Sequence, residues 1–284
     1  MANLTFDLAN DLKINRLGYG AMRLTGEGVW GDPPAHVDPI AILRRAVELG
    51  ANFIDTADAY GPATNEDQIR EALYPYDGIV IATKGGLVRP GPMQWSPCGR
   101  PDYLRQCVEM SLRRLKVERI DLWQLHRIDP EVPVADQIGA LTDLQSQGKI
   151  KHLGLSQVTV DELKEVQKLA TIVSVQNLYN LVDRSSEDVL HYCEEQKIGF
   201  IPWFPVASGD LAKPGGALEP IMAETGHTAA QISLAWLLQK SPVMLPIPGT
   251  SSLAHLEENM KAAEITLSGE IMAQLDAIST NVPA

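Results

Sequence analysis

From residue 17 to about residue 250 the hydrophobic pattern alternates with few interruptions between a short apolar run and an amphipathic stretch, and it does so eight times. The apolar runs are LGYGAM (17–22), NFIDTA (52–57), IVIATKG (79–85), IDLWQLH (120–126), HLGLS (152–156), VSVQNLY (173–179), FIPWFP (200–205) and MLPIPG (244–249). Several are nearly continuous in hydrophobicity and rich in β-branched or aromatic residues, the composition of parallel strands covered on both faces. Between them lie helical patterns such as DPIAILRRAVELG, RPDYLRQCVEMSLRRLKV and TAAQISLAWLLQK. Thr159 with Glu162, and Thr228 with Gln231, have the spacing of capping boxes, in which hydroxyl and side chain satisfy the first free N–H groups of a helix.

Eight β/α units without a composition break predict an α/β fold, a closed (β/α)8 TIM barrel spanning residues 1–284 as a single domain, rather than an open doubly wound sheet. LTFDL and LKIN, flanking AND, predict an N-terminal β-hairpin that plugs one end. SSLAHLEENMKAA and SGEIMAQLDAIS predict extra C-terminal helices. A length of 284 residues with 45% apolar side chains suffices for such a core.

Charge and cysteine content narrow the function classes. Acidic residues outnumber basic ones by 36 to 24, for a formal charge of −12. That balance argues against a general affinity for nucleic acid or anionic membranes. Cys98, Cys107 and Cys193 have neither disulfide-framework nor zinc spacing, so free thiols and no metal are expected. With no apolar leader or membrane-length run, a cytoplasmic monomer or weak homo-oligomer is expected.

In a (β/α)8 barrel, chemistry sits at the C-terminal ends of the strands. Reading those ends in order gives Asp55 and Tyr60 at or just after the second, Lys84 at the third and His126 at the fourth. Each alone has an ordinary explanation as a cap, a packed ring, a solvent-reaching amine or a core histidine. Together they can polarise a carbonyl. A tyrosine hydroxyl titrates near ~10, and an adjacent ammonium favours its ionised form. Asp55 would keep Lys84 charged, and His126 would donate a hydrogen bond to a substrate oxygen. The set suits a proton donor for an oxygen whose carbon receives a hydride. Lys84 as a Schiff-base nucleophile is the competing reading of the same residues.

The motifs GYGAMR, NFIDTADAYG, IATKGG, DLWQLH, GKIKHLGLS, VSVQNLYN and LPIPGTSSLAHLEEN occur in the order and spacing of the aldo-keto reductases, which the chain resembles over essentially its whole length. The resemblance implies that Asp55, Tyr60, Lys84 and His126 form the catalytic tetrad with Tyr60 as acid and base. It also implies a nicotinamide cofactor, NADP(H) with NAD(H) as a second option, lying across the barrel mouth without a Rossmann fold. Ser156 and Gln176 match positions that hold the nicotinamide carboxamide, and Gln157 stands where asparagine is common. Trp203 falls where a tyrosine usually stacks on the ring.

In the same way FPVASGDL, with Pro205, Val206, Gly209 and Leu211, resembles the segment over the pyrophosphate, although Gly209 alone reads equally as a turn. Met22 and Arg23 in GYGAMR, and Gly249, also belong to the implied cofactor set. Thr250, Ser251 and Ser252 open a helix, where backbone donors and the helix dipole favour phosphate; Ser252 reads equally as a cap. His255 replaces a common arginine, which predicts weaker selection for the phosphorylated cofactor, while Glu258 and Asn259 match adenine contacts. Trp30 and Trp95, on loops over the mouth, are candidate substrate walls beside Tyr60 and His126, or anchors of their own loops. The long C-terminal substrate loop of some members is not expected. The overall pattern resembles bacterial branches that reduce small aldehydes, pyridoxal reductases among them. A nucleotide-sensing subunit of slow turnover, as in potassium-channel β subunits, is the alternative.

Overall fold

The computed structural model describes residues 4–206, 211 and 213–278. The elements in order are β1 (Thr5–Leu8), β2 (Leu12–Asn15), β3 (Tyr19–Gly20), α1 (Pro39–Glu48), β4 (Phe53–Asp55), α2 (Thr64–Leu73), β5 (Val80–Gly85), β6 (Leu87–Val88), β7 (Ser96–Pro97), α3 (Pro101–Leu115), β8 (Ile120–Leu125), α4 (Val134–Ser146), β9 (Ile150–Ser156), α5 (Val160–Gln167), β10 (Ile172–Leu178), α6 (Glu187–Gln196), β11 (Gly199–Trp203), α7 (Glu219–Thr225), α8 (Ala229–Lys240), α9 (Leu253–Met260) and α10 (Gly269–Asp276). Both capping boxes form, at the starts of α5 and α8. Asp38 caps α1 ahead of Pro39 by accepting from the Ala41 N–H at 3.0 Å.

Seven parallel strands hydrogen-bond in the order β11, β10, β9, β8, β5, β4, β3. The eighth apolar run, expected as a strand over 244–249, closes the ring without becoming one. Phe200 N–H donates to Val243 O (2.8 Å), Leu245 N–H to Phe200 O (2.7 Å) and Gly18 N–H to Pro246 O (3.0 Å). Pro246 and Pro248 lack the N–H donors that a continuous ladder needs, so only an isolated Phe200 to Met244 bridge remains. The seam is tight near the mouth, since a Cβ on Gly249 would lie 2.6 Å from Gly20 O and one on Gly20 would lie 2.7 Å from Ile247 O.

Strand alternation decides what fills the barrel. At the strand starts Phe53, Val80, Leu122, Val173, Ile201 and Leu245 form an apolar cluster, sealed by Leu8, Leu12 and Ile14 of the hairpin. Two residues farther along β4, or four along β5, the same inward face carries Asp55 and Lys84; β8 turns Gln124 and then His126 the same way. Outward-facing side chains pack under the helices in a separate, larger cluster, where Tyr179 stacks on Trp236 with centroids 5.9 Å apart. Among the described residues no helix is long and apolar enough to cross a membrane.

Candidate active site

At the mouth the polar strand ends meet. The fully buried Lys84 Nζ donates to Asp55 Oδ1 at 2.6 Å, to Thr56 O at 2.7 Å and to the Tyr60 hydroxyl at 3.4 Å. The second Asp55 oxygen accepts from Gln176 Nε2 at 2.8 Å and Gln124 Nε2 at 3.2 Å. A buried ion pair of this kind is tolerable only because further hydrogen bonds satisfy both charges. The Tyr60 and His126 rings meet edge to face at 5.9 Å, and Trp95 packs against both at 6.3 Å.

The environment sets each proton. Burial would push the Lys84 ammonium down, but the Asp55 carboxylate, with Tyr60, holds it above its ordinary value. Lys84 is thus a charged donor, the opposite of a desolvated nucleophile. Burial raises Tyr60, and the nearby Lys84 charge offsets only part of that rise. The net effect reverses the expected lowering. The hydroxyl therefore stays protonated at neutral pH, the form a proton donor needs. His126 is pushed well below its ordinary value by burial, then by Lys84, Arg127 and Arg89. A neutral imidazole keeps one N–H to donate.

Asp55, Tyr60, Trp95 and His126 line a cleft of about 890 Å³, and Lys84 is buried behind them. Met22 and Arg23 from the turn after β3, with Ser156, Gln176 and Trp203 from strand ends, also line it. So do Pro205, Val206, Gly249 and Thr250, and from α9 His255, Glu258 and Asn259. Ser252 caps α9 by accepting from the His255 N–H at 3.4 Å, and Ser251 beside it is exposed. Thr250 O accepts from the Tyr19 hydroxyl at 2.6 Å, fixing the loop to β3. Leu211 packs on the outer core and Gly209 lies outside the described residues.

Two expected contacts fall elsewhere. Trp30 does not line the cleft; its backbone pairs with Gly61 instead, and its ring lies 5.6 Å from the Arg89 guanidinium. Gln157 does not line the cleft either. It sits in a left-handed conformation (φ 55°), and its Oε1 accepts from Trp203 Nε1 at 2.9 Å and from Leu178 N at 3.3 Å. The longer amide reaches sideways and ties down the indole.

Sequence reasoning passed over three residues. Gln124 was visible as the polar residue two places before His126 on the same inward face. Arg127 lines the cleft beside His126, and its Nη1 donates to His126 O at 2.6 Å and to Ser156 Oγ at 3.0 Å. Arg89 stacks on Trp95, 3.6 Å from the ring centroid, and donates to Ala59 O (2.6 Å), Gln94 O (2.8 Å), Gly28 O (2.9 Å) and Val29 O (3.0 Å). One guanidinium thereby joins the loops after β3 and β4 to the segment between β6 and β7. No local pattern marks such a clamp.

The Aldo/keto reductase family model matches residues 16–280. The chain is 58% identical over 266 residues to an uncharacterized oxidoreductase of Schizosaccharomyces pombe, an alignment that covers 94% of this chain and 87% of the relative. It is 42% identical over 286 residues to pyridoxine 4-dehydrogenase of Escherichia coli, covering 98% and 99%. Among solved structures, an aldo-keto reductase from Klebsiella pneumoniae in complex with NADPH superposes with a TM-score of 0.81 at 26% identity, covering 97% of this chain and 95% of that one. A barrel of this topology with a strand-end site, matched over nearly its whole length by a carbonyl-reducing family, defines an oxidoreductase. The chain belongs to the aldo/keto reductase family.

Proposed function

We propose that this chain reduces aldehydes and ketones to alcohols, taking hydride from a nicotinamide dinucleotide, NADP(H) in the first place, with Tyr60 giving the proton. The observation that carries the reading is the position of Lys84 Nζ, 2.6 Å from Asp55 and 3.4 Å from a protonated Tyr60 hydroxyl at the open end of the barrel.

The donor set of the cleft suits such a nucleotide. Ser156 Oγ and the Gln176 amide offer polar contacts for a carboxamide, and the Trp203 indole offers a flat apolar face. The start of α9, with Arg23 and His255 nearby, offers donors and charge to phosphate. When bound, the nicotinamide supplies the hydride that the carbonyl carbon accepts. The chain's own part concerns the oxygen. His126 and the Tyr60 hydroxyl hold the carbonyl oxygen and polarise the bond, Tyr60 passes its proton to that oxygen, and Lys84 stabilises the phenolate left behind. Asp55, fixed by Gln124 and Gln176, keeps Lys84 charged. Trp95, held by the Arg89 guanidinium stacked on it, shapes the substrate wall.

The NADPH complex of the Klebsiella pneumoniae structure supports the cofactor, and the Escherichia coli relative supports pyridoxal-type aldehydes as first substrates. We further infer one domain over the full chain from its unbroken run of β/α units, a cytoplasmic location from the free Cys98, Cys107 and Cys193, and no nucleic-acid partner from the acidic balance. The test follows NADPH absorbance with purified protein and an aldehyde panel that includes pyridoxal and a nitrobenzaldehyde. Turnover of ordinary enzyme speed is expected. Tight nucleotide binding with no turnover of any carbonyl would contradict the reading and favour a nucleotide sensor.

A further inference from the structure

The reductase chemistry uses Lys84 and Asp55 as a neutral pair, and two arginines besides Lys84 act on His126. Arg89 and Arg127 both bear electrostatically on His126, and Tyr60 on each of them. Neither has an ion-pair partner among the described residues. They differ in availability. Arg89 is committed to backbone carbonyls of three loops and holds Trp95 under its plane. Arg127 is half-buried, lines the cleft, and anchors itself through Nη1 alone, to His126 O and Ser156 Oγ. Its Nη2 and Nε make no hydrogen bond within the described residues. A guanidinium held in one orientation, partly withdrawn from water and without a counter-charge is a receptor for a carboxylate or another oxyanion, which its fork meets with paired hydrogen bonds.

We propose that Arg127 is a specificity residue and that the pocket prefers carbonyl substrates carrying an anionic oxygen group. The proposal rests on the reductase reading given above. The carbonyl lies against Tyr60 and His126, the apolar body of the substrate lies along Trp95, and the anionic group meets Arg127. Arg89 adds positive potential without a contact. The acidic surface of the protein does not oppose this, because exposed charges more than about 10 Å away are screened at ordinary ionic strength.

Matched pairs test it: 3- and 4-carboxybenzaldehyde against their methyl esters, which keep the shape and lose the charge. For the native protein, kcat/KM with NADPH is expected to be higher for at least one acid than for its ester. The acid-to-ester ratio is expected to fall tenfold or more in Arg127→Gln and to stay within about threefold of native in Arg127→Lys, which keeps the charge. Taking the ratio within each protein cancels any general loss of activity.

An unchanged ratio in Arg127→Gln, with weaker NADPH binding for every substrate, would overturn the proposal and assign the arginine to the cofactor. If Arg127→Gln does not fold, the native protein still decides: at saturating NADPH, added salt should lower the acid-to-ester ratio of kcat/KM, and a ratio that does not move would refute the proposal. Should the native protein reduce neither these compounds nor any other carbonyl of the panel, the reductase reading fails on its own. Calorimetric titration of the native protein and Arg127→Lys with 4-carboxybenzaldehyde and its ester then tests the anion site alone. Tighter binding of the acid supports it, and equal binding rejects it.

Discussion

The two ends of this barrel are made from the same strands and behave as different materials. At the hairpin end, Phe53, Val80, Leu122, Ile201 and Leu245 meet Leu8, Leu12 and Ile14 with no polar atom to satisfy, and the surface removed from water stabilises the fold directly. At the mouth, the same inward faces carry Asp55, Lys84, Gln124 and Gln176, buried almost as deeply, and each of these must find partners in the others. An apolar end tolerates rough substitution at a graded cost, whereas a polar end fails as a unit when one partner is removed.

The sharpest way to break that contrast is Lys84→Met. It leaves the Asp55 charge buried without its main partner, which should cost about 3–5 kcal/mol of stability. It also removes the group that stabilises the Tyr60 phenolate, and kcat/KM should fall about 10²–10⁴-fold. Chemical denaturation and steady-state kinetics on the same preparation read both. At the opposite end, Leu8→Ala should cost about 2–5 kcal/mol through the cavity it opens and leave kcat unchanged below the unfolding temperature. A change in kcat would mean that the two ends are coupled.

A smaller effect, read by pH, belongs to the mouth alone, since the hairpin-end cluster holds no titratable side chain. Asp58, two residues before Tyr60, has its Oδ1 buried and unpartnered, and burial, helped by the Glu66 charge, raises it from 3.8 to about 7. The folded chain therefore holds this proton more tightly than the unfolded chain. The resulting stability is complete below 3.8 and is lost as pH rises through about 7. His126 acts in the opposite sense: held neutral by burial and neighbouring cations, it contributes stability that is present above its ordinary value of 6.5 and lost as pH falls below it. Asp58→Asn should remove the part of the melting-temperature decline that develops as pH rises from 3.8 to about 7 and leave the His126 loss below 6.5 in place. An unchanged profile between 3.8 and about 7 would count against a protonated Asp58. The smallest expected effect lies at α9, where His255→Arg adds a permanent exposed charge. The ratio of NADPH to NADH efficiency should rise about threefold to fivefold, within the ~1 kcal/mol of an exposed ionic contact, and a ratio that did not move would remove His255 from the phosphate contact.

Much of the architecture was legible because period and punctuation agree: seven of the eight apolar runs became strands, and both capping boxes formed where a hydroxyl and a carboxylate or amide side chain sat three residues apart. The eighth run had the right hydrophobicity, and its two prolines, present in the sequence, forbade the ladder. At the site, strand-end logic found Asp55, Tyr60, Lys84 and His126 because topology turns sequence position into a common location. It could not find Arg89 or the Gln157 link to Trp203, which join loops far apart in sequence. Nor could it set the balance at Tyr60, where the depth of burial outweighs the cation beside it. Depth is a property of the closed barrel and of no single motif.

The central claim is that a protonated Tyr60 serves the carbonyl oxygen. Tyr60→Phe removes one oxygen and keeps the ring against Trp95 and His126, so it tests that claim most directly when NADPH affinity and single-turnover aldehyde reduction are measured together. The account predicts unchanged nucleotide affinity with reduction slowed about 10²–10⁴-fold; reduction at the native rate would contradict it.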